Sequence, residues 1–258
     1  MNNTALITGA SSGIGLELAK IFAKNKINLL LVARNEEKLK KIASELQTAH
    51  GIQAFVIAKD LSNYKTAEDI FEYCKINSIQ IDYLVNNAGF GDYGKFHEIS
   101  WERQLQMINL NITALAYLTR LFMPQMVQNK KGKVLNVASI AAVLPGPLMA
   151  VYYATKAFVL HFSEAIGNEL SGTGVTVTCL CPGATETNFF NESNAKESPF
   201  VKGKTFISPK HVAAYGFKAM MKGKAVAING MMNYLMVNSV RFFPRNIVVK
   251  VSGKMQGK

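Results

Sequence analysis

Short apolar runs of β character alternate with longer stretches of helical period along almost the whole chain, and this alternation limits the fold more than any other feature. The runs are TALIT (4–8), INLLLVA (27–33), IQAFVIA (52–58), IDYLVN (81–86), KVLNVAS (133–139), GVTVTCL (174–180) and AVAIN (225–229). Helical patterns occupy 14–25, 36–49, 64–76, 101–127, 151–170 and 209–222. The runs are nearly continuous in apolar residues, as expected of strands covered on both faces. Strand, helix, strand, repeated, predicts an α/β fold: a doubly wound parallel sheet of about seven strands with right-handed crossovers. A chain of 258 residues suits one such domain, read as residues 1–230 with a basic extension of the same domain at 231–258. Ligands in these sheets sit beyond the carboxyl ends of the strands, so the residues after each strand carry the functional reading.

Composition narrows the context. Hydrophobic residues make up 49% and charged residues 18%, enough apolar mass for a full core. No stretch reaches the roughly 20 apolar residues needed to span a bilayer. The N-terminal MNNTALITGA lacks a basic leader followed by an apolar run, so no signal peptide is read there and a cytoplasmic location is expected. Cys74, Cys179 and Cys181 cannot make a disulfide framework, and buried strand thiols are favoured over metal ligands, with no metal expected. The net charge of +12 is concentrated late: no Asp or Glu follows Glu197, whereas eleven Lys and Arg do. A basic excess confined to one segment suggests a local anionic partner.

The strand ends read as a nucleotide site. TGASSGIG follows the first strand, with Gly9, Gly13 and Gly15 allowing a tight turn and a helix start at Ile14 that aims its positive end at a pyrophosphate. Ser11 and Ser12 lie within that turn. After the second strand, Ala33 and Arg34 stand where a site preferring NAD places an acid. A guanidinium makes paired, charge-assisted bonds to a phosphate, so the cofactor is read as NADP(H). Asp60 and Leu61 follow the third strand; the carboxylate either accepts from an adenine amino group or caps the next helix. Asn86 to Gly89 follow the fourth and suit close packing on a flat ligand. Ser139 ends the fifth. Tyr152 and Lys156, four apart on a helix, share one face, and a nearby ammonium makes a phenol a better acid. Tyr153, three residues before Lys156, is also allowed, and spacing alone does not choose between the tyrosines.

TGASSGIG, NNAG, Asn111 in LNITAL, Ser139, YYATK and CPGATET together resemble the short-chain dehydrogenase/reductase family, in its order and spacing, from about residue 3 to 230. The resemblance implies a Rossmann-type three-layer sandwich and an NADP-dependent enzyme acting on CH–OH/C=O groups. It selects Tyr152 as general acid/base, with Lys156 holding the nicotinamide ribose and lowering the Tyr152 pKa. It implies that Ser139 polarises the substrate oxygen and that Asn111 belongs to a proton relay through water to Lys156. It puts Gly9, Ser11, Ser12, Gly13, Ile14 and Gly15 around the phosphates, and Asn87, Ala88 and Gly89 on the adenine ribose side. Pro182, Gly183, Thr185 and Thr187 then border the nicotinamide. Family members are commonly dimers or tetramers, so a homo-oligomer is expected.

Residues 188–208 follow with little periodicity, and Phe189, Phe190, Phe200 and Phe206 make them either an apolar lid over the substrate or a surface excursion. A lid of this kind suits an apolar carbonyl or alcohol. The tail after residue 230 is apolar with interspersed Arg and Lys. It packs on a partner subunit, lies on an anionic membrane surface, or completes the monomer. Nucleic acid is not expected, because no recognition motif accompanies the charge. A non-catalytic NADP(H)-binding module docked on a membrane or partner is the competing function, against which the full Asn111, Ser139, Tyr152, Lys156 set argues.

Overall fold

The computed structural model describes residues 3–187, 189, 193 and 206–257. Seven parallel strands form one sheet: β1 (Thr4–Thr8), β2 (Asn28–Ala33), β3 (Ala54–Ala58), β4 (Tyr83–Asn86), β5 (Gly132–Val137), β6 (Val175–Cys181) and β7 (Val226–Ile228), in the order β3-β2-β1-β4-β5-β6-β7. Leu6 of β1 sits between Leu30 of β2 and Leu84 of β4. Successive side chains on a strand point to opposite faces, and here both faces are covered. Ala5, Ile7, Leu29 and Leu31 pack under α1 (Gly13–Lys24), α2 (Glu36–His50) and α7 (Pro209–Met221). Leu6, Leu30, Val32 and Ile57 pack under α3 (Lys65–Ile76) and α5 (Leu115–Gln128). The near-continuous apolar strands follow directly from this double burial.

Helix ends are marked by local chemistry. Asn35 caps α2 by accepting from the Lys38 N–H at 2.9 Å, and Gly51 ends it in the left-handed region at φ 62°. Ser208 caps α7, with Pro209 in its first turn. The long helical pattern at 101–127 resolves into α4 (Trp101–Ile108), a π-helical turn (Asn109–Ala114) and α5. Periodicity reads such a run as a single helix, because a π turn inserts about one extra residue without breaking the apolar face. α6 (Ala150–Glu169) carries the tyrosine pair and is preceded by a 3₁₀ turn at Ile140–Val143.

The extension after β7 is helical. It forms α8 (Met231–Ser239), a 3₁₀ turn (Val240–Phe242) and α9 (Arg245–Gln256). The chain runs from β1 outward to β3, then crosses back to β4 beside β1. That reversal leaves a crevice at the carboxyl ends of β1 and β4, where the loops collect.

Candidate active site

A cleft of about 640 Å³ opens along the carboxyl edge of the sheet. At one end lies the loop between β1 and α1. Gly9 and Gly13 have φ of 65° and 55°, in the left-handed region that favours glycine. Asn87 ties this loop to the end of β4: its Nδ2 donates to the carbonyls of Thr8 at 2.9 Å and Gly9 at 3.3 Å. A Cβ on Gly9 would stand 2.7 Å from that nitrogen. Thr8, which the sequence reading passed over, locks the same corner, its hydroxyl accepting from the N–H groups of Asn87 at 2.9 Å and Ala88 at 3.0 Å.

Gly9, Ser11, Ser12, Gly13 and Ile14 line the cleft. Gly15 does not line it, which corrects the expectation that it surrounds phosphates. It is buried beneath the turn, where a Cβ would strike the Gly9 carbonyl at 2.4 Å, so its role is close packing of helix on loop. Ser12 makes no side-chain capping bond to α1, and the first turn carries no acid. The positive end of α1 therefore faces the cleft free of a competing carboxylate.

The far end of the cleft is basic. Arg34 lines it as expected, with Asn35, Lys38 and Lys59 beside it. Lys38 and Lys59 went unread because lysines near a helix start are ordinary solvent-facing residues in sequence. Asp60 and Leu61 also line the cleft. The Asp60 carboxylate accepts from the Ser62 N–H at 2.8 Å, closing a turn two residues on, whereas α3 starts only at Lys65. The helix-capping alternative for Asp60 is thereby answered.

The reacting end gathers around α6. Tyr152 and Lys156 stand one turn apart, both buried and both lining the cleft. Ser139 caps the 3₁₀ turn, its hydroxyl accepting from the Ala141 N–H at 3.1 Å, and it stands near enough to the Tyr152 phenol to act on its pKa. Lys156 Nζ donates to the Val137 carbonyl at 2.8 Å and lies 5.8 Å from the centre of the Tyr152 ring. Burial pushes the Tyr152 phenol well above its ordinary value; Ser139 pulls against this, and Tyr153 adds to the rise. The expectation that Lys156 lowers the Tyr152 pKa is thus corrected. The ammonium is committed to a backbone carbonyl, and desolvation of the phenol dominates. Burial also pulls Lys156 itself down to about 8, opposed by Cys179 and Cys181.

The tyrosine ambiguity is decided by geometry. The Tyr153 hydroxyl accepts from Gln256 Nε2 at 2.5 Å, and its ring fills the space where a Cβ on Gly146 would stand, 2.2 Å away. Both tyrosines border the cleft, but the Tyr153 hydroxyl is tied to the end of α9 whereas the Tyr152 phenol faces Ser139. Asn111, in the π turn, does not line the cleft. Its Nδ2 donates to the Phe90 carbonyl at 2.9 Å and to Thr155 Oγ1 at 3.0 Å, while its Oδ1 accepts from the Phe90 N–H at 3.1 Å. Gly89 passes directly above, where a Cβ would lie 2.9 Å from Asn111 Oδ1 and 3.4 Å from Lys156 Nζ.

Asn87, Ala88 and Gly89 form one ledge of the cleft, and Pro182, Gly183, Thr185 and Thr187 form part of the opposite wall. Thr187 lies over the glycine turn, since a Cβ on Gly13 would meet its Cγ2 at 2.9 Å. A flat ledge with no room for side chains, an open helix N-terminus and a basic end fit a phosphorylated dinucleotide along the cleft. Cys179 and Cys181 are buried free thiols with sulfurs 3.9 Å apart.

The remaining wall mixes apolar and polar side chains drawn from distant segments. Phe189 packs on Tyr152 with ring centres 5.1 Å apart, so that part of the lid expectation faces the cleft. Phe190 and Phe200 lie outside the described residues, and Phe206 is half-buried. Arg103 of α4 lines the cleft with its guanidinium 4.1 Å from the Phe90 ring centre and its Nε 3.1 Å from Asp92. Asn233 and Met236 of α8, and Ser252, Met255 and Gln256 of α9, complete it. None of these carries a motif.

Residues 3–198 match the family model for short chain dehydrogenases. The very-long-chain 3-oxoacyl-CoA reductase of Anas platyrhynchos is 34% identical over 186 residues, 69% of this chain and 58% of that protein. A short-chain dehydrogenase from Sphingobium yanoikuyae, solved in complex with NADPH, superposes with a TM-score of 0.85 at 28% identity, covering 99% of this chain and 96% of that one. A 7beta-hydroxysteroid dehydrogenase superposes with a TM-score of 0.87 at 26% identity, covering 97% and 96%. The matched region spans 58–60% of the length of the first curated relatives. The chain belongs to the short-chain dehydrogenase/reductase family of oxidoreductases.

Proposed function

We propose that this protein is an NADP(H)-dependent oxidoreductase interconverting an apolar carbonyl compound and its alcohol. The observation that carries the reading is the convergence of Ser139, Tyr152 and buried Lys156 on one cleft that continues to the glycine turn and Arg34. When bound, the nicotinamide supplies or accepts the hydride. Ser11, Ser12, Gly13 and Ile14 hold the pyrophosphate at the α1 N-terminus, and Arg34 with Lys38 and Lys59 hold the ribose phosphate. The substrate oxygen sits between the Ser139 and Tyr152 hydroxyls. Ser139 orients and polarises it; Tyr152 delivers the proton. A phenol whose pKa is raised by burial keeps its proton at neutral pH, which favours its entry as an acid, in the direction of reduction. Asn111 acts through position, fixing the backbone at Phe90 and the turn of α6 at Thr155. The hydroxysteroid and 3-oxoacyl names among the similar proteins support a bulky carbonyl substrate. We assign the chain to a homo-oligomer, a reading supported by family habit.

The experiment compares two neighbours. Tyr152→Phe is expected to lower ketone-dependent NADPH oxidation by about 10²–10⁴-fold, the usual worth of a general acid, with NADPH binding by fluorescence unchanged. Tyr153→Phe keeps turnover within a few-fold. Equal losses in both variants would refute the assignment.

A further inference from the structure

The C-terminal hairpin shows two faces. On α9, Val248, Ser252 and Gln256 are buried at a spacing of four, whereas Ile247, Lys250, Val251 and Lys254 are exposed. The turn between α8 and α9 carries Phe242 at 85% exposure and Phe243 at 55%. On α8, Met231 and Met232 are 74% and 78% exposed, and Leu235 56%. Arg241 and Arg245 flank the two phenylalanines and are exposed. A bare run of large apolar side chains on this scale marks an interaction site.

Charge chooses the occupant. The chain has no Asp or Glu after Glu197, so the hairpin itself holds only cations. A two-fold contact between copies places the same patch on itself, setting Arg241, Arg245, Lys250 and Lys254 against like charges with no carboxylate of the segment between them. An anionic bilayer surface satisfies both chemistries: apolar rings enter the acyl boundary while guanidinium and ammonium groups meet lipid phosphates. Among the described residues no helix is long and apolar enough to cross a membrane, so the contact is a surface one.

We propose that the α8–α9 hairpin docks this protein on an anionic lipid surface, with Phe242 and Phe243 at the point of entry. The inner face of the same helix walls the cleft through Ser252, Met255 and Gln256, and Met255 is also 39% exposed. The docked face and the substrate wall are therefore two sides of one helix. Resting on the oxidoreductase reading, this narrows the substrate to a bilayer-partitioned ketone or alcohol.

Full-length protein is sedimented with vesicles of phosphatidylcholine alone and of phosphatidylcholine with phosphatidylglycerol. Binding is expected on the anionic vesicles, and to fall about ten-fold or more with Arg241→Glu plus Arg245→Glu, and likewise with Phe242→Asp plus Phe243→Asp. Reduction of a short water-soluble ketone stays unchanged in both variants, since these four side chains lie outside the cleft. Wild-type protein that ignores anionic vesicles, or variants that bind them as wild type does, overturn the proposal. A phenylalanine variant that loses subunits by light scattering while vesicle binding is unchanged also overturns it, assigning the patch to a second copy. Docking by a chain that reduces no ketone keeps the surface and overturns the substrate part alone.

Discussion

Lys156 gives the residue scale its clearest physical signature. Its pKa in the folded protein is about 8, pulled down by burial from 10.5. Between those values the unfolded chain holds a proton that the folded chain has released, so stability rises with pH across that window. Below about 8 the cost of burying the ammonium is fully in force. Replacing it by Lys156→Met removes the titration. Wild-type stability relative to the variant should climb on the order of 2–3 kcal/mol between pH 7.5 and 10, measured by urea unfolding. Parallel pH dependences in the two proteins would show that the amine is not desolvated. The window closes near pH 10, because Tyr152, whose folded pKa is raised, loses its own stabilising contribution as the pH climbs beyond that. Tyr152 and Lys156 were legible as a pair in the sequence through their spacing. The dominance of burial over their mutual charge effect was not, because it depends on β5 and Phe189 packing against them.

At the scale of elements, the π turn between α4 and α5 is the feature with most leverage. It turns Asn111 inward, where one side chain satisfies both backbone groups of Phe90 and reaches Thr155, whose hydroxyl donates to the Tyr152 carbonyl at 2.7 Å. The loop after β4 and the first turn of α6 are thereby held in one register. Asn111→Ala leaves buried partners unmade, each costing about 1–3 kcal/mol. A loss of about 2–4 kcal/mol in urea unfolding is expected, together with a drop in turnover larger than that of Tyr153→Phe. A stability change under about 0.5 kcal/mol would mean that the Phe90 backbone finds other partners. The strands and most helices were legible because period and capping residues are local: Asn35 and Gly51 bracket α2, Ser208 and Pro209 open α7. The π turn was not, since the apolar face runs through 101–127 without interruption.

For the molecule as a whole, the C-terminal hairpin closes the substrate side. Gln256 is held twice: its side chain donates to Tyr153, 103 residues away, and its carbonyl accepts from the Tyr93 hydroxyl at 2.6 Å. Gln256→Ala removes only the first bond, worth about 1 kcal/mol. KM for a bulky ketone should rise several-fold with kcat nearly unchanged, and Tm should fall by about 2–4 °C. A fall in kcat without a change in KM would place the disturbance at Tyr152 instead. The tail had been open to three readings in sequence. The structure gives its inner stripe to the cleft and leaves its outer face apolar and basic.

Local pattern by itself determined the alternating elements, the glycine turn, Arg34 at the second strand end and a tyrosine–lysine pair on one helix face, while the choice of Tyr152 came from the family resemblance. Each of these needs only neighbours within a turn or two of chain. Tertiary structure alone decided that Gly15 packs rather than binds, that Tyr153 is tied to α9 while Tyr152 faces Ser139, and that Arg103, Met255 and Gln256 shape the substrate wall. The physical reason is sequence separation: these roles arise from contacts across tens to more than a hundred residues, which exist only once the sheet has brought its edges and the final helix together.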